Sequence, residues 1–198
     1  MPEVTIRPDD ALIVVDVQND FLPGGALAVS EGKRIFAPIA SLLGRFTRTY
    51  ATRDWHPTDH SSFSESGGPW PVHCVRDSHG AAFGDGFDLA QVDRVVDKGI
   101  DRVTDGYSAF AGTNLAEDLR EHAIRRVFVC GLATDYCVKM TALDALSAGF
   151  QVVVVRDACA AVNVNESDEA GALEGMQRSG AIVVESADVR GSAKERAA

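Results

Sequence analysis

Three residues next to the ends of predicted strands have the chemistry to cleave an amide with a thiol. Cys137 follows Gly131 by six residues, in the predicted first turn of a helix, where the helix dipole is expected to lower the pKa of the thiol. Asp16 follows a run of apolar residues and could take the thiol proton and later give one to a leaving amine. Lys98 could stabilise both negative charges and orient a substrate.

The convergence of these residues, more than any one of them, favours a catalytic interpretation. Taken alone, Asp16 could cap a helix or form an ion pair, and Lys98 could be a solvated strand end. For Asp20 a structural role in a loop is expected. Free cysteines are usually small buried side chains, and that interpretation is kept for the other three thiols, Cys74, Cys130 and Cys159.

A second group of residues has the types and spacing of metal ligands. Asp54 and His56 are two positions apart at a predicted strand end, so their side chains should point the same way. His60 and His73 follow in the next segment, and mixed oxygen and nitrogen ligands suit zinc, iron(II) or manganese. A metal site built from Asp54, His56 and His73 is therefore predicted. The remaining histidines are expected to be ordinary hydrogen-bonding side chains, and they are His79 and His122.

The elements that position these residues alternate between short apolar, β-branched runs and amphipathic segments. Continuous apolar strands indicate a sheet buried on both faces. The alternation predicts an α/β fold with three α/β/α layers, in which a central, mostly parallel six-stranded sheet is doubly wound, with its first and fourth strands adjacent. Ligands of such sheets bind beyond the carboxyl ends of the strands. The predicted strands are 11–16, 49–54, 94–98, 126–131, 151–156 and 181–185, and the predicted helices are 32–48, 114–123, 134–148 and 167–179.

The length of the chain and the composition of its segments predict the domain organisation. The 198 residues predict a single domain over residues 1–186 and a loose polar tail over 187–198. The irregular segment 57–92 is too long for an ordinary connection, so it is expected to be functional, and its aromatic residues argue against disorder.

Charge and cysteine content bear on partners and compartment. The 19 basic and 29 acidic residues give a net charge of −10, which argues against a nucleic-acid or anionic-membrane partner. No run approaches the roughly 20 apolar residues of a membrane helix, and no signal-peptide pattern is found. Four cysteines without a CxxC pair predict free thiols in a reducing compartment, the cytoplasm.

Five segments together resemble the nicotinamidases, also called pyrazinamidases, of the isochorismatase-like cysteine hydrolase superfamily. They are DVQNDFLPGGALAV, RDWHPTDHSSF, WPVHC, KG followed by DGYSAFAG, and GLATDYCVKMTALDA, and the resemblance spans about residues 9–185. The aspartate–lysine–cysteine set is shared across the superfamily and so indicates the class of enzyme. The DWH and WPVHC pair is more specific, because a metal site beside the triad marks the nicotinamidase branch.

The resemblance implies roles for particular residues. Asp16, Lys98 and Cys137 would form the catalytic triad. One divalent ion would be held by Asp54, His56 and His73, with zinc favoured and iron or manganese as alternatives. His60 matches a position that ligates metal in some relatives and only lines the site in others, and Glu65 lies near a carboxylate ligand of some relatives. Leu132–Ala133 matches a cis peptide, and the amides of Ala133 and Cys137 match an oxyanion hole. The implied substrate pocket consists of Phe21, Leu27, His60, Trp70, Tyr107, Leu132 and Tyr136.

The implied reaction converts nicotinamide, or related pyridine and pyrazine carboxamides such as pyrazinamide, to the acid and ammonia through a cysteine thioester, in NAD salvage. The metal would bind the pyridine nitrogen. The partner is thus a small-molecule amide, and a homo-oligomer is left open. Alternatives are a related amidohydrolase acting on a carbamoyl, ureido or maleamate-type amide, an isochorismatase, a zinc hydrolase using metal-bound water, or a metal-stabilised interaction module without activity.

Overall fold

The computed structural model describes residues 2–193, and its centre is a sheet of six parallel strands. The strands lie in the order β4–β3–β2–β5–β6–β7, so the first and fourth strands of this sheet are neighbours, as predicted. The strands of the chain are β1 (Val4–Thr5), β2 (Asp10–Val15), β3 (Arg48–Asp54), β4 (Arg94–Lys98), β5 (Arg126–Leu132), β6 (Gln151–Ala160), β7 (Ile182–Val184) and β8 (Val189–Arg190).

Helices follow the strands and cover the sheet. Every residue of β2 and β5 is buried, which requires cover on both faces of the sheet. The α/β architecture and its doubly wound strand order are therefore confirmed. The α-helices are α1 (Phe36–Leu42), α2 (Leu115–Glu121), α3 (Lys139–Ser147) and α4 (Asp168–Arg178).

Three elements differ in length from the sequence prediction. The helix predicted over 134–148 starts with a π-helical turn, Thr134–Val138, and its α-helix begins only at Lys139. The helix predicted over 32–48 ends at Leu42, because Leu43 leaves the helical region with ψ 144° and Gly44 adopts φ +75°. The strand predicted to end at residue 156 continues to Ala160. Its pairing register with β5 shifts between Val129 and Gly131, and this irregularity lets the strand continue beyond the point where regular pairing stops.

The parallel register brings the carboxyl ends of four strands to one edge. Val15 of β2 pairs in register with Gly131 of β5, and Asp54 of β3 pairs in register with Lys98 of β4. Gly131 adopts φ +116°, and a Cβ there would stand 2.1 Å from the carbonyl oxygen of Val15. Only glycine therefore allows β5 to pass this close to β2 at the edge where the polar residues gather.

The long segment between β3 and β4 is ordered although it is mostly irregular. His56 donates its amide to the carbonyl of Cys74, and Arg76 donates its amide to the carbonyl of His56. The amide of Cys74 in turn donates to Asp20 Oδ2 at 2.7 Å. Phe63 is buried, and it forms an isolated bridge with Trp70. These bonds fasten the segment to the sheet edge, and Asp20 has the structural role that the sequence predicts.

Residues 187–193 differ from the predicted loose tail. Val189 is buried, β8 pairs in parallel with β1, and the amide of Ala193 donates to the carbonyl of Arg45. The predicted tail carries enough apolar side chains to pack against the amino-terminal strand. The rest of the predicted tail, 194–198, lies outside the described residues. Within residues 2–193, no helix is both long and apolar enough to span a membrane.

Candidate active site

The Lys98 ammonium group stands at the centre of the polar edge. It lies at the end of β4, with its Nζ 2.7 Å from Asp16 Oδ2 and 2.5 Å from Asp54 Oδ1. The same nitrogen donates to the carbonyl of Gly106 and lies 3.7 Å from Cys137 Sγ. Burial alone would lower the pKa of Lys98, but the two carboxylates outweigh burial and raise it well above its usual value. Lys98 therefore remains a cation inside the site.

Asp16 follows β2 and is fully buried, with φ +49°. Burial raises the pKa of its carboxyl group to about 6, against the opposing effect of the Lys98 charge. The Thr52 hydroxyl donates to Asp16 Oδ1 at 2.6 Å. Asp16 is thus mostly ionised near neutral pH, yet basic enough to accept a proton.

Cys137 lies in a π-helical turn, Thr134–Val138, that connects β5 to α3. Burial raises the pKa of its thiol well above the usual value, although the Lys98 charge opposes this shift. The predicted lowering of this pKa by a helix dipole is therefore wrong. The thiol lies before the start of α3 and is almost completely enclosed, so desolvation of the thiolate dominates. A base is needed to ionise it, and oxygens of Asp16 and Asp54 lie within 4.8 Å of its sulfur.

The predicted metal ligands Asp54, His56 and His73 also come together. One ligand atom from each lies within 4.8 Å of the others, and all three side chains are buried. His56 Nδ1 is 2.9 Å from the carbonyl of Gly99, and His73 Nδ1 is 2.7 Å from the carbonyl of Pro71. A carbonyl only accepts hydrogen bonds, so each Nδ1 carries the proton and each Nε2 keeps a lone pair.

This donor set fits a divalent metal ion. Two neutral imidazole nitrogens and one carboxylate are common ligands of zinc and related ions, and carbonyls that fix the histidine tautomer are typical of metal sites. Burial raises the pKa of Asp54, but the Lys98 charge opposes burial and the pKa falls below its usual range. Burial also lowers the pKa of His73, which favours the neutral, ligating form.

Two glycines hold the metal-ligand group closely packed. Gly99 and Gly106 both adopt positive φ, and a Cβ on Gly99 would lie 2.4 Å from His56 Cε1. A Cβ on Gly106 would lie 3.1 Å from Gly99 Cα and 3.3 Å from Asp54 Oδ1. Any larger side chain would push the imidazole away from the carboxylate.

His60 is separate from the ligand group. Its Nε2 bonds the carbonyl of Thr104 at 2.8 Å and its Nδ1 bonds the Ser62 hydroxyl at 2.7 Å, so both ring nitrogens are engaged. The ring stacks on His56 with centroids 4.0 Å apart. The prediction of His60 as a metal ligand or pocket residue is therefore not borne out by the geometry. Glu65 is exposed on a short 3-10 helix, Ser64–Ser66, and likewise stands outside the group.

A cavity opens onto both groups. It encloses about 490 Å³, part of it open to solvent, and the Cys137 side chain and the metal-ligand residues form part of its wall. Trp70 Nε1 donates to Tyr107 Oη at 2.8 Å, and the Trp70 and Tyr136 rings meet edge to face at 5.2 Å. Six of the seven predicted pocket residues line it, all except His60: Phe21, Leu27, Trp70, Tyr107, Leu132 and Tyr136.

The cavity also has lining residues that the sequence did not single out. Neither residue type nor spacing in the sequence identifies the two apolar ones, Val29 and Val162, as pocket residues. Ser62 and Asp105 lie in irregular segments whose course depends on tertiary contacts. The additional lining residues are Val29, Ser62, Asp105 and Val162.

The backbone beside the thiol contains the cis peptide bond that the resemblance implies. The Leu132–Ala133 peptide bond is cis. The amides of Tyr136 and Val138 both donate to the carbonyl of Ala133 at 3.1 Å, which shapes the turn around Cys137. Ala133 itself lines the cavity next to the thiol.

Comparison with known proteins agrees with this geometry. Residues 10–188 match the isochorismatase domain family. The chain is 39% identical to the nicotinamidase of Escherichia coli (strain K12), in an alignment that covers 91% of this chain and 97% of that protein.

Two solved structures are similar over most of the chain. PnC1 from L. infantum in complex with nicotinate has 38% identity and a TM-score of 0.90, covering 94% of this chain and 98% of that one. The pyrazinamidase of Pyrococcus horikoshii in complex with zinc has 46% identity and a TM-score of 0.85, covering 90% of this chain and 99% of that one. The resemblance noted in the sequence motifs is therefore confirmed.

Proposed function

Because this chain belongs to the isochorismatase domain family, we propose that it hydrolyses nicotinamide and related pyridine or pyrazine carboxamides to the acid and ammonia. The observation that carries the proposal is that the thiol of Cys137 and the ligand group Asp54, His56 and His73 open into one aromatic-walled cavity. Relatives named nicotinamidase and a related structure with nicotinate bound support the choice of substrate.

The first half of the reaction forms a thioester. Asp16 accepts the proton of the Cys137 thiol, and the sulfur attacks the carboxamide carbon. The carbonyl oxygen becomes an oxyanion, which the amides of Ala133 and Cys137 stabilise. Asp16 then gives its proton to the departing nitrogen, the carbon–nitrogen bond breaks, and ammonia leaves.

The second half regenerates the thiol. Asp16, again ionised, takes a proton from a water molecule, whose oxygen attacks the thioester carbon. The carbon–sulfur bond breaks, the acid is released, and the proton returns from Asp16 to the sulfur. Lys98 keeps its positive charge throughout and stabilises whichever of the two groups is anionic.

Asp54, His56 and His73 would hold a divalent ion, for which we propose zinc. When bound, the ion supplies a Lewis-acid position that a pyridine nitrogen can occupy, which is a positioning role. Asp54 has a second role, since its Oδ1 contacts Lys98 while its Oδ2 faces His56 at 3.5 Å. With the ion bound, the carboxylate would thereby link the metal-ligand group to the triad.

The cavity wall suits a flat heteroaromatic ring. The Phe21, Trp70, Tyr107 and Tyr136 side chains supply aromatic surface, and the Trp70–Tyr107 hydrogen bond fixes two of them relative to each other. The wall thus excludes water from the reacting carbon on the side of the ring. The partner is a small-molecule amide, and we propose NAD salvage in the cytoplasm as the setting.

The test is ammonia release from a panel of amides, together with elemental analysis of the purified protein. We expect turnover of nicotinamide and pyrazinamide and little of maleamate or ureido compounds. In Cys137→Ala, kcat should fall by about 10⁴-fold or more, because no nucleophile remains to form the thioester. Metal content should stay that of the wild type, since the ion is proposed to be held by Asp54, His56 and His73.

The same variant separates the proposal from its main alternative. A hydrolase that uses metal-bound water would keep most of its activity in Cys137→Ala and after alkylation of the thiol. Retained ammonia release from nicotinamide in that variant would therefore contradict the thioester mechanism.

A further inference from the structure

The two oxygens of the Asp16 carboxylate have different partners. Oδ2 lies 2.7 Å from Lys98 Nζ, the nitrogen that also lies 3.7 Å from Cys137 Sγ. Oδ1 accepts a hydrogen bond of 2.6 Å from the Thr52 hydroxyl, which comes from the neighbouring strand β3. Asp16 and Thr52 are both fully buried, so no solvent competes for this bond. The orientation of the carboxylate is therefore set from two sides.

Thr52 also holds the backbone of Asp16. The Asp16 amide donates to the Thr52 carbonyl at 3.1 Å, at the residue where the chain leaves β2 with φ +49°. A single residue of β3 thus bonds both the main chain and the side chain of Asp16. Among the described residues 2–193, Thr52 is not one of those that line the cavity. Thr52 would therefore not contact a ring bound there.

We propose that Thr52 is a positioning residue, whose hydroxyl holds the Asp16 carboxylate in the orientation that accepts the Cys137 proton. This inference rests on the proposed function for its main measurement. A carboxylate rotates easily about its last side-chain bond, and Lys98 could attract both of its oxygens. The Thr52 bond occupies Oδ1 and leaves Oδ2 for the proton transfer. Without the hydroxyl, Oδ1 is buried without a donor and the carboxylate turns towards Lys98.

The chain offers a matched control on the same strand. Thr49 is, like Thr52, a fully buried threonine of β3, but within residues 2–193 its hydroxyl has no hydrogen-bond partner. Replacing each by valine removes one hydroxyl and keeps the branched shape. Both variants therefore lose one buried hydroxyl of β3, but only Thr52→Val loses a hydrogen bond to Asp16.

The experiment measures kcat and KM for nicotinamide in the metal-loaded wild type, Thr52→Val, Thr52→Ser and Thr49→Val, together with thermal unfolding. We expect kcat of Thr52→Val to fall about ten- to a hundredfold with KM within twofold, because the bond is to a charged group that acts in the chemical step. Thr52→Ser keeps a hydroxyl and should recover kcat to within about threefold. Thr49→Val should match the wild type.

The rate of Cys137 alkylation by iodoacetamide gives a second readout that needs no substrate. It should slow in Thr52→Val at neutral pH and stay unchanged in Thr49→Val, because only the former disturbs the base that ionises the thiol. This readout separates the two proposals. If the wild type does not hydrolyse nicotinamide, only the proposed function is contradicted, and the alkylation rates still test the role of Thr52.

Several results would overturn the inference. They are a Thr52→Val enzyme with kcat within twofold of the wild type, a serine variant as slow as the valine variant, or an equal loss in Thr49→Val. If Thr52→Val lacks a cooperative thermal transition while Thr52→Ser and Thr49→Val unfold normally, the hydroxyl is needed for folding and the positioning role is wrong.

Discussion

The triad and the metal-ligand group meet in one cavity but are held in different ways. Asp16 and Lys98 stand at strand ends, and Cys137 lies in a turn that directly follows β5. Of the metal-ligand group, only Asp54 belongs to a strand, whereas His56 and His73 lie in the irregular segment between β3 and β4. The sheet ladder therefore positions the triad, and individual hydrogen bonds position two of the three ligands.

This difference indicates which parts of the site can change independently. Strand ends move only if the sheet is disrupted, so the geometry of the thiol should withstand changes in the loop. The loop depends on a few bonds, such as that from the Cys74 amide to Asp20, so its ligand geometry should be more sensitive. The Asp54–Lys98 contact is the direct link between the two groups.

Among the changes that test the independence of the two groups, His73→Ala has the largest expected effect. Removing one of three ligands should weaken metal binding by about 100-fold or more, since even loss of a residue that supports a ligand costs about 10- to 100-fold. KM for nicotinamide should rise, while the rate of Cys137 alkylation stays within twofold of the wild type. Metal competition with a chelator, and iodoacetamide kinetics, measure the two effects.

The control for this prediction is His79→Ala, an exposed histidine of the same segment. It should leave metal affinity and KM unchanged. If His73→Ala slowed alkylation as strongly as it weakened metal binding, the triad and the metal-ligand group would not be positioned independently.

A smaller effect is expected from pH, and it concerns the triad. Asp16 must be ionised to accept the thiol proton, and its pKa is raised to about 6. Lowering the pH through that value protonates the base, so kcat/KM should fall to about a tenth of its plateau by pH 5. The measurement is a pH profile of kcat/KM with saturating metal, with thermal unfolding followed at each pH. A profile that stays flat down to pH 5 in folded enzyme would contradict a base with a pKa of about 6.

The smallest effect is expected from Asp20→Ala. The substitution removes the acceptor of the Cys74 amide, next to His73, and should lower the free energy of unfolding by about 1–3 kcal/mol. Metal affinity should fall a few-fold because the loop loses an anchor, and thiol alkylation should not change. Denaturant unfolding and metal titration test this, with the exposed Glu117→Ala on α2 as control. An unchanged metal affinity would show that the loop does not depend on this bond.

Much of this arrangement could be predicted from the sequence, because parallel strands impose it. The apolar runs before Asp16 and around 126–131 predict buried strands, and the carboxyl ends of such strands meet at one edge. The spacing of Asp54 and His56 likewise places both side chains on one side of the chain. These inferences need only local periodicity and the topology of an α/β sheet.

Other features depend on contacts between residues far apart in sequence. His60 has the same spacing signal as a ligand, but the Thr104 carbonyl and the Ser62 hydroxyl occupy its two ring nitrogens. The Cys137 thiol follows a strand as predicted, yet its enclosure raises the pKa that the helix argument expects to be lowered. Burial and bonding partners come from the packed chain, and spacing alone does not reveal them.

The sequence by itself therefore determines which chemical groups this protein has, where its strands lie along the chain and which groups follow the strand ends, because periodicity and strand ends are local properties. Only the tertiary structure decides what each group can do there. It leaves Nε2 of His56 and His73 free to bind metal, it makes Asp16 a base with a pKa of about 6, and it brings Thr52 against that base. Desolvation and hydrogen bonding act over a few ångströms in space, between residues that are tens of positions apart along the chain.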